Sequence, residues 1–506
     1  MEFTIENGKL YMLQTRNAKR TARAALKVVL DLLKEEKITK NEAILRIEPS
    51  MLGQLLHKTF DENELKDAEI ITKGIAASPG AGTGKIYFSS EDILKHKDED
   101  TILVRLETSA EDIKGMYSSN GILTVRGGMT SHAAVVARGM GASCVSGCED
   151  LVIDEVNKTI TAPNGKIYKE GDYISISGDT GNVYANAIKT VDANITGDFE
   201  EFMKLVEDID ALEVRANADT EKDALTALKF KASGIGLVRT EHMFFNDDRI
   251  LSVQAMILSD NLEERSIYLE QMRKMQATDF EKIFKVMDNK PVTIRLIDPP
   301  LHEFLPKNEV EIKALSKVIN KPAELIKQKI SELKEFNPMM GHRGCRLAIT
   351  YPEIAIMQIN AIIDAIVNLD KLGFKVKPEI MVPLVGDVKE YNYVKNILES
   401  HLKNAMSKYQ IDINYQIGTM IEVPRACVLA NEIASGANFF SFGTNDLTQM
   451  VYGFSRDDAS KFLSDYYDKK ILDTDPFVSI DQEGVGKLIK TAVKLAKMTN
   501  LNIELG

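Results

Sequence analysis

The residues best placed by type and spacing to do chemistry begin with one histidine. In Gly127-Gly128-Met129-Thr130-Ser131-His132-Ala133-Ala134-Val135-Val136-Ala137-Arg138-Gly139-Met140-Gly141, an apolar strand running to Val125 gives way to two glycines. Then come hydroxyl residues able to cap a helix, with His132 in the first turn of an Ala- and Val-rich helix. Free N–H groups at such a helix end favour an anion. A neutral imidazole, with an unperturbed pKa of about 6.5, is also a nucleophile toward phosphorus near neutral pH. A phosphoryl group carried on His132 would therefore be stabilised where it sits. Taken alone, a histidine near a helix start is more often a satisfied polar residue, and Thr130 and Ser131 are both candidates for the cap.

A second set lies in the C-terminal half, where polar residues fall at the ends of apolar runs. Arg239 closes Gly234-Ile235-Gly236-Leu237-Val238, and Arg295 sits in Thr293-Ile294-Arg295-Leu296-Ile297-Asp298-Pro299-Pro300. Guanidinium groups grip phosphate through paired hydrogen bonds, and two of them can clamp a transferring phosphoryl group. Glu422 ends Ile417-Gly418-Thr419-Met420-Ile421, and Asp446 lies in Phe442-Gly443-Thr444-Asn445-Asp446-Leu447. A few hard oxygen ligands suit Mg²⁺, which completes its shell with water and substrate oxygens. Without further context such arginines are more often surface ion pairs, and such acids more often helix caps or solvated charges. Cys144 and Cys148 lack a second cysteine pair for zinc and read as buried structural thiols.

These side chains need elements to hold them. Residues 1–18 alternate as a hairpin around Glu6-Asn7-Gly8-Lys9, a two-stranded piece too small to stand alone. Residues 19–66 read as a helical connector. Residues 67–187 show short β-branched runs broken by glycines, as in a compact mixed α/β domain, and 188–211 open with a polar stretch of linker composition. Over 212–506 strands alternate with helices: Leu212 to Ala216, Gly234 to Val238, Val292 to Leu296, Glu379 to Val382, Ile417 to Val423, Asn438 to Phe442 and Leu501 to Leu505, with Cys345 to Ala348 as a weaker eighth. That rhythm predicts a (β/α)₈ TIM barrel without its last helix, and strand ends are where such barrels build sites.

Bulk properties narrow the function classes. With 506 residues, 44% hydrophobic and 27% charged, the chain has ordinary globular composition and room for several cores. A formal net charge of −12 argues against a general nucleic-acid or anionic-membrane binder, so phosphate must be met by a few local cations. Four cysteines make no disulfide framework, the N-terminus has no signal-peptide order, and a reducing, cytoplasmic setting is expected. No apolar run reads as the roughly 18 to 20 residues needed to cross a bilayer.

The histidine segment resembles the swivelling phosphohistidine domain of the phosphoenolpyruvate-utilising enzymes. Met129 and Ser131 resemble the pyruvate phosphate dikinases more than phosphoenolpyruvate synthase or enzyme I of the sugar phosphotransferase system. Val238-Arg239-Thr240-Glu241-His242-Met243-Phe244-Phe245 and Asp298-Pro299-Pro300-Leu301-His302-Glu303-Phe304 resemble dikinase signatures, as does Arg343 in Pro338-Met339-Met340-Gly341-His342-Arg343-Gly344-Cys345-Arg346. The resemblance implies a phosphate-carrying His132 and a substrate site for phosphoenolpyruvate or pyruvate made by Arg239, Arg295, Arg343, Glu422, Gly443, Thr444, Asn445 and Asp446. Glu422 and Asp446 would be the Mg²⁺ ligands. It gives His242, His302 and His342 supporting places at most, and it marks Thr130 as a possible regulatory phosphorylation site, with capping as the plainer role.

Glu2, Gln14 and Arg16 resemble nucleotide-contacting positions on the closing hairpin of the family's ATP-grasp domain. The remainder of that domain, and the segment whose cysteine protonates the enolate, fall outside the resemblance's span of Met1 to Gly506. The expected function is that of a dikinase, ATP + pyruvate + phosphate = AMP + phosphoenolpyruvate + diphosphate. This chain by itself would be limited to the phosphoenolpyruvate half-reaction or be inactive, with ATP, AMP and phosphate engaged only alongside the nucleotide domain. A homodimer is implied by family. The alternatives are a non-catalytic remnant or interaction protein, and a phosphoenolpyruvate synthase.

Overall fold

A computed structural model of the chain describes residues 2–506 apart from 16–19, 21, 50, 53–55, 110–111, 129–130, 192–196, 208, 210–211 and 246. The side chains of 62, 132, 135, 139, 140, 247, 248, 457, 460 and 464 also lie outside the description. Arg16, Met129 and Thr130 thus fall outside the described residues, as does the His132 side chain. The chain divides into two compact units, Met1–Ala211 and Leu212–Gly506.

The first unit begins with the expected hairpin, β1 (Glu2–Glu6) against β2 (Lys9–Gln14). Its turn works because Asn7 and Gly8 both adopt positive φ, 48° and 76°, matching the twist of the strands. Helices α1 (Ala22–Lys34) and α2 (Lys40–Leu45) follow, the second closed by a Thr39–Glu42 capping box. After the short strand β3 (Thr59–Phe60) comes an eight-stranded sheet. Its members are β4 (Ile70–Lys73), β5 (Ile75–Ser78), β6 (Ala81–Tyr87), β7 (Thr101–Arg105), β8 (Gly121–Thr124) and β9 (Ser143–Ser146), joined by β13 (Tyr173–Ser177) and β14 (Asn182–Tyr184). The spatial order is β4-β14-β13-β6-β7-β8-β9-β5, with β6 to β9 parallel and the flanking pairs antiparallel. Between β8 and β9 runs helix α3 (His132–Met140), and a small meander, β10 (Val152–Asp154), β11 (Thr159–Thr161) and β12 (Ile167–Lys169), covers one face.

The stretch 188–211, expected to be an exposed linker, is structured wherever it is described. Ile188 is buried, β15 (Thr190–Val191) pairs with β3, and helix α4 (Asp198–Glu207) packs Phe199 and Phe202 against Leu26, Val29 and Leu30 of α1. The polar composition hid an amphipathic helix whose two phenylalanines, at i and i+3, supply the buried face.

The second unit is a seven-stranded parallel sheet in chain order: β16 (Arg215–Asn217), β17 (Gly234–Arg239), β18 (Pro291–Arg295), β19 (Lys377–Val382), β20 (Gln416–Ile421), β21 (Phe439–Phe442) and β22 (Glu504–Leu505). It curls into a TIM-barrel-like half-barrel, for Arg215 on the first strand reaches Glu379 on the fourth at 2.6 Å and Glu504 on the seventh at 3.5 Å. Helices α5 (Leu262–Met287), α6 (Cys345–Thr350), α7 (Pro352–Asp370) and α8 (Val388–Tyr409) belong to its outer layer, as does α10 (Val485–Thr499), which follows α9 (Thr444–Tyr452).

Two expectations need correcting. Cys345 to Ala348 is not a strand but the start of α6, whose buried Cys345, Leu347 and Ala348 lie on one side of a helical turn. The apolar run Pro352–Asp370 is long and apolar enough to cross a membrane by length and composition. In the fold it is α7, packed between α5 and α8 with twelve buried residues, because a helix sandwiched in an outer layer must be apolar on most of its surface.

Candidate active site

Strand alternation decides which barrel residues face inward. On β18, β19 and β20, Val292, Ile294, Ile380, Val382, Ile417 and Ile421 pack outward against the helices. Their alternates Thr293, Arg295, Glu379 and Met420 line a cavity of about 1010 Å³. An apolar cluster of Met381, Met420 and Phe439, backed by Leu237, adjoins it, and Leu237, Met420 and Phe439 are among its lining residues. At the N-terminal side Glu379 receives Arg215 and the Thr293 hydroxyl, each at 2.6 Å.

The other side gathers the strand-end residues. Arg239, Arg295, Arg343, Glu422, Gly443, Thr444, Asn445 and Asp446 all line the cavity. Arg295 donates through Nη2 to Glu241 Oε1 at 2.6 Å and pairs through Nη1 with Asp298 Oδ2 at 2.9 Å. Arg343 Nη2 lies 2.5 Å from Asp298 Oδ2 and 3.0 Å from Asp446 Oδ2, and its Nε donates to Asp298 Oδ1 at 3.2 Å. Asp298 is therefore a hub joining two guanidiniums from separate segments. Burial opposes both cations, yet Asp298, with Glu241 beside Arg295 and Asp446 beside Arg343, outweighs it and strengthens their hold on the proton.

Glu422, 1% exposed, accepts from the Leu384 N–H at 2.7 Å. Burial, followed by the Asp298 and Asp446 carboxylates, drives its carboxyl well above the usual range, and Arg295 and Arg343 offset this only in part. Gly443 makes the crowding possible: a Cβ there would lie 2.5 Å from Glu422 Oε2 and 2.9 Å from Met420 Sδ. Arg343 depends on a second glycine, since Gly344 has φ +58° and a Cβ on it would meet Leu384 Cβ at 2.7 Å.

Arg239 is held differently. Asp219 accepts its backbone N–H at 2.7 Å and its Nη1 at 3.5 Å, and also pairs with His242 Nδ1 at 2.8 Å. His242, His302 and His342 are not among the residues lining the cavity. Sequence reasoning passed over Asp219, Glu241 and Asp298 as site residues. Glu241 and Asp298 stood inside the quoted motifs, and only the fold reveals which arginines they neutralise.

In the first unit, His132 opens α3, and the Ser131 hydroxyl caps it by accepting the Ala134 N–H at 3.4 Å. Gly127, at φ +108°, leaves room for that cap, since a Cβ would lie 2.9 Å from Ser131 Oγ. Glu2 and Gln14 are cross-strand partners on the exposed hairpin. All four cysteines are free and buried, and burial pushes the Cys144 thiol to about 11 and those of Cys148, Cys345 and Cys427 to about 12.

Among the described residues no three His, Cys, Asp or Glu side chains form a ready-made metal cluster. Glu422 and Asp446 nevertheless suit a Mg²⁺ ion, which takes one or two carboxylates and fills its shell from water and ligand oxygens. The upward pull on Glu422 is what surplus negative charge in a dry site produces, and a divalent cation would relieve it.

One unit carries an arginine-lined cavity at the strand ends of a half-barrel, and the other starts a helix on a histidine. The chain belongs to the phosphoenolpyruvate-utilising enzymes. Residues 194–504 match the family "PEP-utilising enzyme, PEP-binding domain" and residues 97–181 match "PEP-utilising enzyme, mobile domain". Over its whole length the chain is 52% identical to pyruvate, phosphate dikinase of Clostridium symbiosum and 51% identical to that of Rhizobium meliloti, covering 58% and 56% of those proteins. It is 46% identical to the chloroplastic pyruvate, phosphate dikinase of Mesembryanthemum crystallinum, covering 54% of it. The chain thus spans a little over half the length of these curated relatives. Their names do not favour the phosphoenolpyruvate synthase alternative.

Proposed function

We propose that residues 212–506 bind phosphoenolpyruvate and pyruvate, and that His132 exchanges a phosphoryl group with them as one half of a pyruvate phosphate dikinase cycle. The observation that carries this reading is the convergence of Arg239, Arg295, Arg343, Glu422 and Asp446 on one cavity. Three guanidiniums bind the phosphate and carboxylate oxygens, and the Gly443–Asp446 segment closes round the substrate. Glu422 and Asp446 hold Mg²⁺, which when bound offsets negative charge on the substrate oxygens. In the transfer the P–O bond to the enol oxygen breaks as a P–N bond to His132 forms. The electron pair stays on the enol oxygen, and the resulting enolate takes up a proton at carbon to give pyruvate.

In this reading 67–187 is the phosphate-carrying domain, 19–66 and 188–211 connect it to its neighbours, and 1–18 belongs to a nucleotide-binding domain with Glu2, Gln14 and Arg16 toward ATP. ATP, AMP, inorganic phosphate and a dimer partner belong to the full cycle. Incubating the chain with ³²P-phosphoenolpyruvate and Mg²⁺ should place acid-labile label on His132, with pyruvate released in equal amount. Label that persists in His132→Ala, or no label on a well-folded chain, overturns the reading.

A further inference from the structure

The charge balance of the cavity is lopsided. Four acidic side chains, Glu241, Asp298, Glu422 and Asp446, face two guanidiniums, Arg295 and Arg343, while Arg239 is held by Asp219. Of the two, only Arg343 reaches Asp446, its Nη2 shared between Asp298 Oδ2 at 2.5 Å and Asp446 Oδ2 at 3.0 Å. The other Asp446 oxygen lies 3.4 Å from Gln449 Nε2. A cation ligated by Asp446 therefore meets a carboxylate already paired with a resident guanidinium, and Arg343 repels it at close range.

From this competition we infer that Arg343 is a stand-in cation for Asp446, so that the site takes its divalent ion together with an anionic ligand and only weakly before it. A dianion entering the cavity offers Arg343 a new partner, drawing Nη2 off Asp446 while Nε keeps its bond to Asp298 Oδ1. The freed carboxylate then accepts the metal. Anion and metal each tighten the other, and Arg343 carries the coupling. The inference rests on the reading above that Glu422 and Asp446 hold the ion. It adds a role in the order of assembly to a residue otherwise assigned to substrate contact.

The test is Mn²⁺ binding to the full chain, followed by electron paramagnetic resonance with and without oxalate, a planar dianion. In the unaltered chain oxalate should tighten Mn²⁺ at least about tenfold. Arg343→Met should bind Mn²⁺ alone about tenfold more tightly than the unaltered chain, with most of the oxalate effect gone. Arg273→Met, which removes a cation paired with Asp364 away from the cavity, should leave Mn²⁺ binding in the absence of oxalate little changed. If Arg343→Met does not fold, Arg343→Lys serves, since one ammonium held by Asp298 leaves Asp446 free and Mn²⁺ again tightens, by less. Mn²⁺ affinity unchanged or weaker in the folded Arg343 variant overturns the inference while leaving the metal site standing. No Mn²⁺ binding to the unaltered chain even with oxalate overturns the site and the inference together.

Discussion

Arg295 Nη2 and Glu241 Oε1 lie 2.6 Å apart, with both side chains almost sealed from solvent. One ends β18 and the other follows β17, so the pair ties two strand ends at the centre of the site. A guanidinium locked between Glu241 and Asp298 is set in place before any ligand arrives.

That arrangement predicts the cost of breaking it. Arg295→Met leaves buried Glu241 unopposed and Asp298 with Arg343 alone, and should lower stability by about 3–5 kcal/mol in a denaturant titration. Adding Glu241→Gln should restore part of the loss. A loss under about 1 kcal/mol would show that the cluster is solvated and loosely held.

Glu422 predicts a pH dependence. Its folded carboxyl is displaced upward from an unfolded value of about 4.3, so the native state holds the proton more tightly than the unfolded one. The group's contribution is complete below the unfolded value and is lost as pH rises through the folded one. Metal-free Glu422→Gln should therefore lose part of the decline in stability above pH about 4.3, and should be more stable than the unaltered chain at pH about 8. Calorimetry across that range checks it, and parallel curves for the two proteins would contradict it.

At Gly443 the prediction is one of local displacement. Gly443→Ala puts a methyl 2.5 Å from Glu422 Oε2 and must push the carboxylate aside. Mn²⁺–oxalate binding should weaken roughly 10- to 100-fold, as for other losses of ligand orientation. Titration calorimetry checks it, and retention of affinity would mean that Glu422 has no part in holding the ion.

Ser131 predicts a cap. Ser131→Ala should lower the stability of the first unit by about 1 kcal/mol, and Ser131→Asn should keep most of it. Hydrogen exchange along α3 reports the difference, and equal protection in all three proteins would remove the cap from the account.

Much of the site was legible in the sequence because strands with one face to the helices and one to the barrel interior print a period of two. Arg295 alternates with Val292 and Ile294, and Glu422 follows Ile421, so their place at strand ends could be read directly. Asn7-Gly8 gave the hairpin turn for the same local reason, its dihedrals being a property of those two residues. Where local pattern and tertiary packing diverge, the reading failed. Cys345 to Ala348 has strand-like residues but lies in a helix, and Asp198–Glu207 looked like linker until Phe199 and Phe202 found α1.

By itself, then, the sequence determined what kinds of groups exist and which strand ends carry them: a helix-starting histidine, three arginines, two acids and the glycines that let them crowd. Only the tertiary structure decided who neutralises whom. That Asp298 bridges Arg295 and Arg343, that Arg343 also holds Asp446, and that Asp219 takes Arg239 depend on the curl of the sheet. Ion pairing falls off over a few ångströms, and Arg343, 45 positions from Asp298 and 103 from Asp446, comes that close to both only when the strands have closed round a common cavity.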